Sequence, residues 1–167
     1  MDRDDFGERV TALCDSLYRV ARSMLRSEDD CRDALCETAL RAWERRATLR
    51  DEARFDAWVF RILINECRAI LRRQRRIVLT DIFSDTAGAF DKNTFDATTS
   101  GAFEAQTPAL DALMALREPL RLCAVLHYVE GYSVEETAAI LRIPKSTVRG
   151  RLSRARAALR LELEESQ

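Results

Sequence analysis

The stretch that decides the fold is YVEGYSVEETAAILRIPKSTVRGRLSRAR, residues 128–156. Ser133 followed by Glu136 is the capping-box pattern that starts a helix. Pro144 has no amide hydrogen and disfavours helix at the preceding residue, so it separates this helix from a second one that begins near Lys145. Two helices joined by so short a turn form a helix-turn-helix unit, whose second helix can enter the major groove of DNA.

The second helix of this unit has one apolar and one basic face. Its apolar positions, spaced three and four residues apart, are Val148, Leu152, Ala155 and Leu159. From Lys145 to Arg160 there are six basic residues and no acidic one, whereas a solvated helix normally mixes both signs. This pattern favours binding to a polyanion, with an ordinary basic bundle helix as the alternative.

Composition indicates an all-α protein. The chain has 167 residues, of which 47% are hydrophobic and 33% charged, and its five Gly and three Pro leave little material for the turns of a sheet. The formal net charge of −1 argues against nucleic acid when taken alone. The charge is unevenly distributed, however: residues 77–108 carry one basic and five acidic residues, so basic helices are offset by an acidic connection.

The N-terminal part predicts three helices. An amphipathic repeat begins at Phe6, a new N-cap follows at Ser27, and a third helix begins at Phe55. Between Arg61 and Arg76 this third helix has six basic residues and one acid, which makes it a second candidate polyanion-binding helix; binding to a membrane surface is the alternative. One of its faces carries Arg61, Asn65, Arg68, Arg72 and Arg75.

Residues 77–107 lack a clear period and are rich in Ala, Thr, Ser and Asp, as expected of an interdomain linker. We therefore predict an all-α protein with two small helical domains joined by a flexible linker. The first domain covers residues 1–76. The second, residues 108–167, is a helix-turn-helix domain of four helices that starts at Pro108.

Other classes of site have little support. The five cysteines form no CxxC pair and there is one histidine, His127, so no metal or other cofactor is expected, and buried thiols are favoured over a redox role for Cys31 and Cys36. No constellation of catalytic groups stands out, so we do not expect an enzyme. No apolar run reaches the roughly 18 residues of a membrane span and no signal peptide is evident, so we expect a cytoplasmic protein without membrane insertion.

Several of these stretches resemble bacterial sigma factors. The segment DALCETALRAW, residues 33–43, resembles their core-binding signature, and FDAWVFRILIN, residues 55–65, followed by LRRQRR, residues 71–76, resembles their minus-ten promoter helix. The helix-turn-helix stretch is similar to their minus-thirty-five domain. The short chain, with a linker in place of a middle domain, resembles the extracytoplasmic-function group of the sigma-70-type family.

The resemblance implies a transcription initiation factor with three contact surfaces. Polymerase contacts are expected from Asp33, Glu37 and Arg41. Minus-ten DNA contacts are expected from Arg46, Thr48, Arg50, Trp58, Arg61, Asn65, Arg68, Arg72 and Arg73, where the loop residue that touches a flipped base stays open among Arg46, Thr48, Leu49 and Arg50. Minus-thirty-five contacts are expected from Arg142, Lys145, Ser146, Thr147, Arg149, Arg151, Ser153, Arg154 and Arg156.

The resemblance also implies partners: core RNA polymerase, promoter DNA and an anti-sigma factor that covers the polymerase-binding faces, in a stress response. Two other functions remain open from the sequence. A helix-turn-helix repressor or activator would bind a palindrome as a dimer without polymerase. A signalling adaptor would sequester an anti-sigma factor without binding DNA, and it is disfavoured because both basic faces are intact.

Overall fold

The computed structural model describes residues 2–84 and 108–165, and within these ranges every regular element is helical. The elements are α1 (Arg3–Met24), α2 (Glu28–Arg45), short 3₁₀ turns at Arg46–Thr48 and Glu52–Arg54, α3 (Phe55–Ser84), α4 (Pro108–Ala115), α5 (Glu118–Ala124), a π-helical segment (Val125–Val129), α6 (Val134–Leu141) and α7 (Lys145–Glu165). The predicted all-α class is confirmed.

Helices α1, α2 and α3 pack into the first domain. The Ser27 side chain accepts a hydrogen bond from the amide of Asp30 and starts α2, as the sequence predicted. The apolar face of α3 is fully buried against α1 and α2 at Val59, Leu63 and Cys67. Four aromatic rings, which we call the aromatic cluster, close one end of this core: Phe6, Trp43, Phe55 and Trp58.

The structure differs from the prediction at the start of the predicted linker. Helix α3 continues to Ser84, so the first eight residues of the predicted segment 77–107 are helical. The chain from Ile77 to Ser84 includes Val78, Leu79 and Ile82, which are compatible with a helix although their period is too short to indicate one. The rest of the predicted linker, residues 85–107, lies outside the described residues.

The second domain contains the predicted helix-turn-helix unit, α6 and α7. Ser133 and Glu136 form the capping box, with Ser133 Oγ accepting from the Glu136 amide at 3.1 Å and the Glu136 carboxylate accepting from the Ser133 amide at 2.8 Å. Helix α6 ends at Arg142, which adopts the left-handed conformation at φ 55°. The core of the second domain is built around Cys123, Val148 and Leu152.

The spacing of Leu122, Val125, Leu126 and Val129 predicts a regular helix from about Leu120 to Glu130. The structure instead has a π-helical segment at Val125–Val129. The Glu130 amide donates to the Val125 carbonyl at 2.9 Å, five residues back, and the chain then turns at Gly131, whose φ is +77°. The wider turn changes where the following residues point, and π segments are often found at functional positions.

We expect Ser133→Ala to lower the stability of the second domain by about 1 kcal/mol, because the amide of Glu136 loses its acceptor. The measurement is thermal unfolding by circular dichroism at pH 7. The hydrogen bonds from Ser133 lower the pKa of Glu136. The stabilisation that this carboxylate gives the folded domain is therefore fully present above the usual carboxyl pKa. It is lost as the pH falls through the lowered pKa of Glu136. An unchanged melting temperature would contradict the role of the capping box.

The two domains are packed against each other. Leu122, Val125, Leu126 and Ile140 of the second domain are buried in the same apolar cluster as the core of the first. Helices α1 and α3 supply the first domain's side of this contact, and α5, the π segment and α6 supply the other. The sequence does not predict this arrangement.

Candidate nucleic-acid interface

Helix α7 presents the first basic surface. Val148, Leu152 and Ala155 are buried and hold one face of the helix against the second domain. The opposite face is turned to solvent and carries most of the predicted minus-thirty-five contacts. The exposed residues of this set are Arg142, Lys145, Ser146, Arg149, Ser153, Arg154 and Arg156.

Some members of this set also have contacts within the domain. Lys145 Nζ lies 3.1 Å from the Glu135 carboxylate, and the hydrogen bond from Lys145 lowers the pKa of Glu135. Arg151 is half-buried and interacts with the thiol of Cys123, whose pKa is raised by burial. Thr147 is half-buried. Arg151 is therefore less available to DNA than the sequence pattern alone implies.

The second basic surface lies along α3, on the face opposite its buried residues. Arg61 and Arg68 are half-buried, whereas Asn65, Arg72 and Arg73 are exposed. Arg61, Asn65 and Arg68 line a cleft of about 390 Å³. The other residues that line it are Arg45, Thr48, Trp58, Ile62, Ile64, Ile140, Leu141 and Arg142. Since Ile140 to Arg142 belong to the second domain, residues predicted for the minus-ten and minus-thirty-five contacts lie in one cleft.

This interdomain cleft is electropositive. Burial, with the nearby positive charges of Arg142 and Arg54, lowers the pKa of Arg61. The Arg61 guanidinium donates to the Ala57 carbonyl at 3.1 Å. A phosphate or carboxylate placed there would relieve the repulsion between these guanidinium groups.

The loop before α3 holds the candidate base-reading residues. The Arg46 guanidinium lies 3.7 Å from the ring centroid of Trp43 and donates to the Trp43 carbonyl at 2.8 Å, so this side chain is fixed against the aromatic cluster. Thr48 donates to the Arg45 carbonyl at 2.7 Å and Arg50 is exposed. Trp58 both packs against the core and lines the interdomain cleft.

The predicted polymerase contacts lie on α2. Asp33 is exposed, and Glu37 and Arg41 pair at 2.7 Å on the same face. Leu40 lies beside them and is 52% exposed, which makes it an apolar residue within a charged surface. Leu40 is not among the contacts predicted from the sequence, although its position three residues after Glu37 places it on that face.

Arg41 has a second partner that the sequence does not predict. Its Nη1 lies 3.1 Å from the carboxylate of Glu66, which is buried in α3. The hydrogen bond that Arg41 donates to Glu37 raises the pKa of Arg41 most, and the negative charge of Glu66 raises it further. Arg41 therefore ties α2 to α3 as well as contributing to the exposed charged face.

We expect Arg41→Ala to lower the urea midpoint of the first domain, because Glu66 would remain buried without its cation. Asp33→Ala is the matched control, since its side chain is exposed and its loss should leave the midpoint unchanged. Urea unfolding followed by the fluorescence of Trp43 and Trp58 measures both. An identical midpoint for Arg41→Ala and the unmodified protein would contradict the structural role of Arg41.

Cysteine placement agrees in part with the sequence prediction. Cys31, Cys67 and Cys123 are buried, whereas Cys14 and Cys36 are exposed. Burial raises the pKa of Cys67 to about 12, which leaves little thiolate at neutral pH. Among residues 2–84 and 108–165, no group of His, Cys, Asp and Glu side chains is arranged to hold a metal ion.

His127 is half-buried and its Nδ1 lies 2.7 Å from the Tyr132 carbonyl oxygen. Nδ1 is therefore the protonated nitrogen that donates this bond when the ring is neutral. The contact fixes the loop after the π segment.

Comparison with known proteins identifies the family. The model for sigma-70 region 2 matches residues 10–77 and the model for sigma-70 region 4 matches residues 107–159. The chain is 31% identical over 158 residues to the extracytoplasmic-function (ECF) RNA polymerase sigma factor SigM of Mycobacterium tuberculosis, covering 95% of this chain and 76% of SigM. The chain belongs to the ECF sigma factors. Members of this family are transcription initiation factors and not enzymes.

Two further similarities concern length and fold. The chain is 34% identical over 160 residues to a probable RNA polymerase sigma factor, RfaY, of Xanthomonas campestris pv. campestris, but spans 40% of the length of that protein. The sigma factor RpoE of Bartonella quintana, solved in complex with the anti-sigma factor NepR, matches this ECF factor with a TM-score of 0.76 and 26% identity. That match covers 98% of this chain and 99% of RpoE.

No helix among the described residues of this ECF factor is both long and apolar enough to cross a membrane.

Proposed function

We propose that this ECF factor directs core RNA polymerase to specific promoters and assists opening of the minus-ten element. The observation that carries the proposal is the pair of family matches, with region 2 before region 4. Each matched range contains one of the two basic helix surfaces, and these surfaces belong to separate domains. The promoter is selected by two DNA contacts, and polymerase holds the domains at the distance that these contacts require.

For the minus-thirty-five element, we assign base contacts to the start of α7. Lys145, Ser146 and Arg149 lie in its first two turns and are exposed, and the N-terminal residues of a recognition helix are those that reach base edges. Thr147, between Ser146 and Arg149, is half-buried, and Ser153 lies one turn beyond Arg149 on the exposed face. Arg142, Arg154 and Arg156 are assigned to phosphates, which position the helix without reading sequence. Arg151 has a smaller part because of its contact with Cys123.

For the minus-ten element, we assign Arg61, Asn65, Arg68, Arg72 and Arg73 to the backbone of the opened strand. The loop residues Arg46, Thr48 and Arg50 are assigned to the capture of a flipped base, and the fixed position of Arg46 against Trp43 favours Thr48 and Arg50 for direct contact. Trp58 lines the interdomain cleft together with Thr48 and can stack on an unpaired base.

The charged face of α2 is assigned to the polymerase. Asp33, Glu37 and Arg41 provide a surface of mixed charge around the exposed Leu40. Charge complementarity favours the correct partner and orientation, and an apolar side chain that becomes buried adds affinity.

An anti-sigma factor is the further partner that we propose. Bartonella quintana RpoE was solved with the anti-sigma factor NepR, and this chain matches RpoE over nearly its full length. A partner that covers the α2 face and the interdomain cleft would prevent binding to both polymerase and DNA. Because core polymerase and promoter DNA are the proposed targets, we propose that this factor acts in the cytoplasm.

Two small contacts bind DNA much more tightly when they are joined. Each domain presents a few cations, and such contacts weaken steeply with salt. Attachment of both domains to one polymerase makes the second contact intramolecular and raises its effective concentration. The proposed mechanism therefore uses binding free energy and no covalent chemistry.

The experiment that tests the function is transcription in vitro from fragmented genomic DNA with purified protein and core polymerase. We expect discrete start sites preceded by two sequence elements at a fixed spacing. Core polymerase without the protein is the control. Failure to initiate and to co-elute with core polymerase would overturn the proposal in favour of an adaptor or a repressor.

A further inference from the structure

The interdomain cleft has the size of a small-molecule site, and direct contacts hold its walls in place. Its volume of about 390 Å³ lies within the usual range for such sites, about 300–1,000 Å³. The Nε of Arg68, which lines the cleft, lies 3.1 Å from the Glu118 carboxylate across the domain boundary. Between the same domains, Glu130 accepts two hydrogen bonds from Arg19, at 2.6 Å from Nε and 2.8 Å from Nη2. The cleft is therefore formed in advance, and a ligand would not have to order its walls.

The charged residues that line the cleft are all positive. Its guanidinium groups are those of Arg45, Arg61, Arg68 and Arg142, and no Asp or Glu is found among the described residues of its lining. Arg68 is paired with Glu118, whereas no carboxylate of residues 2–84 and 108–165 pairs with the other three. Guanidinium groups form their strongest hydrogen bonds with carboxylates and phosphates. This arrangement is the one expected where a ligand supplies the negative charge.

Arg61 shows the repulsion within the cleft most directly. It is half-buried, and burial lowers its pKa, as do the positive charges of Arg142 and Arg54. Its Nε donates to the Ala57 carbonyl at 3.1 Å, and within the described part of the chain its terminal nitrogens have no acceptor. An anion placed between these groups would replace repulsion with charge-assisted hydrogen bonds.

The backbone of Arg142 gives an independent indication. Arg142 ends α6 at φ 55°, a left-handed conformation that favours Gly or Asn at the end of a helix. Residues held in such sparsely populated conformations are concentrated at functional sites. Because Arg142 lines the cleft, its guanidinium is the feature of this residue that a glycine could not replace.

Other lining residues provide a surface for a flat ring. Trp58 is half-buried and packs on its core side against Phe55, with the two ring planes at 43°. Ile140 and Leu141 add apolar surface from the second domain. Aromatic side chains stack on nucleobases of any sequence, and the exposed amide of Asn65 can both donate to and accept from a polar edge.

We propose that the interdomain cleft binds a nucleoside diphosphate, whose phosphates contact Arg45, Arg61 and Arg142 and whose base stacks on Trp58. A diphosphate ester carries about three negative charges at neutral pH, which balances the guanidinium groups that have no acid partner. Because Arg61 and Trp58 are also assigned to the minus-ten strand, the nucleotide and that strand exclude each other. This consequence rests on the proposed function, whereas the nucleotide site itself does not.

The test is isothermal titration calorimetry on the full chain with ADP and GDP. We expect at least one of them to bind at one site per chain, about tenfold or more tightly than pyrophosphate or the corresponding nucleoside, because each of those makes only part of the contacts. If pyrophosphate bound as tightly as both diphosphates, the cleft would be a general anion site and the proposal would be wrong. Absence of binding by both diphosphates at millimolar concentration would also overturn it.

Arg142→Gly separates ligand binding from folding. Glycine adopts a φ of 55° without strain, so the melting temperature should not fall. Diphosphate affinity should nevertheless fall about tenfold, because one charge-assisted contact is lost, and Arg61→Gln should have a similar effect. Arg75→Ala is the matched control, since Arg75 is exposed on α3 but does not line the cleft. Unchanged affinity in both Arg142→Gly and Arg61→Gln would overturn the assignment.

Tryptophan fluorescence tests the position of the base. Stacking of a nucleobase on the Trp58 indole should quench its emission when the diphosphate is added to the unmodified protein. Trp58→Phe retains a stacking surface and should still bind the diphosphate, but the remaining tryptophan, Trp43, is covered by the Arg46 guanidinium at 3.7 Å and should not be quenched. Equal quenching in Trp58→Phe would show that the base does not lie on Trp58.

Transcription in vitro distinguishes failure of this inference from failure of the proposed function. Calorimetry uses the protein alone, so its result holds whether or not the protein initiates transcription. Initiation at discrete promoters by a protein that binds neither diphosphate would overturn the nucleotide site only. Diphosphate binding by a protein that neither initiates nor binds polymerase would support the site and count against the proposed function.

Discussion

Phe55→Ala is expected to lower the free energy of unfolding of the first domain by about 3–5 kcal/mol, the usual cost of removing a buried phenyl ring. Phe55 is the first residue of α3 and is 2% exposed. Its ring meets Phe6 at a centroid distance of 5.9 Å and lies 5.7 Å from the Arg9 guanidinium. Loss of the ring removes the contact that joins the start of α3 to α1.

The measurement is urea unfolding followed by tryptophan fluorescence. Both tryptophans of the chain, Trp43 and Trp58, lie in the first domain, so their signal reports on this domain even if the two domains unfold separately. Phe55→Leu retains most of the apolar volume and is expected to cost about 1.5 kcal/mol or less. If Phe55→Ala and Phe55→Leu unfolded at the same urea concentration, the aromatic cluster would not be a main source of stability.

Local signals in the sequence predicted most elements of this fold. The capping box at Ser133, the N-cap at Ser27 and the break at Pro144 each depend on residues within a few positions, and the structure confirms all three. The alternation of apolar and basic residues also predicted which face of α7 is buried, because helical geometry alone determines it.

Contacts between distant residues could not be predicted in this way. The pairs Arg19–Glu130 and Arg41–Glu66 join residues that are far apart in the chain, and no periodicity indicates which acid faces which base. The π segment could not be predicted either, since the sequence of Val125–Val129 is compatible with a regular helix.

Within the candidate site, too, the contacts between residues could not be predicted from the sequence. The charge pattern and the family resemblance make Arg46, Arg151 and Arg41 candidates for contact with DNA or polymerase. They do not show that Arg46 is fixed against Trp43 or that Arg151 interacts with Cys123. A cation on the predicted face is therefore a candidate for DNA binding, and its partners within the domain decide how available it is.

Arg149→Ala is expected to change which minus-thirty-five sequences the polymerase complex binds. Arg149 is exposed in the second turn of α7, where a recognition helix reaches the edges of the bases. An arginine that binds a guanine through two hydrogen bonds contributes about 1–3 kcal/mol to discrimination against another base. The variant should lose roughly tenfold or more in affinity for the preferred promoter and little for promoters changed at the contacted position.

Arg156→Ala is the matched control, because it removes the same side chain from the same face about two turns farther along the helix. As a phosphate ligand, Arg156 should contribute equally on every sequence, and its loss should make the slope of log affinity against log salt shallower by about 1. Binding of the polymerase complex to promoter variants at two salt concentrations measures both effects. If Arg149→Ala weakened binding equally on all sequences, Arg149 would be a phosphate contact and the base-reading surface would lie elsewhere on α7.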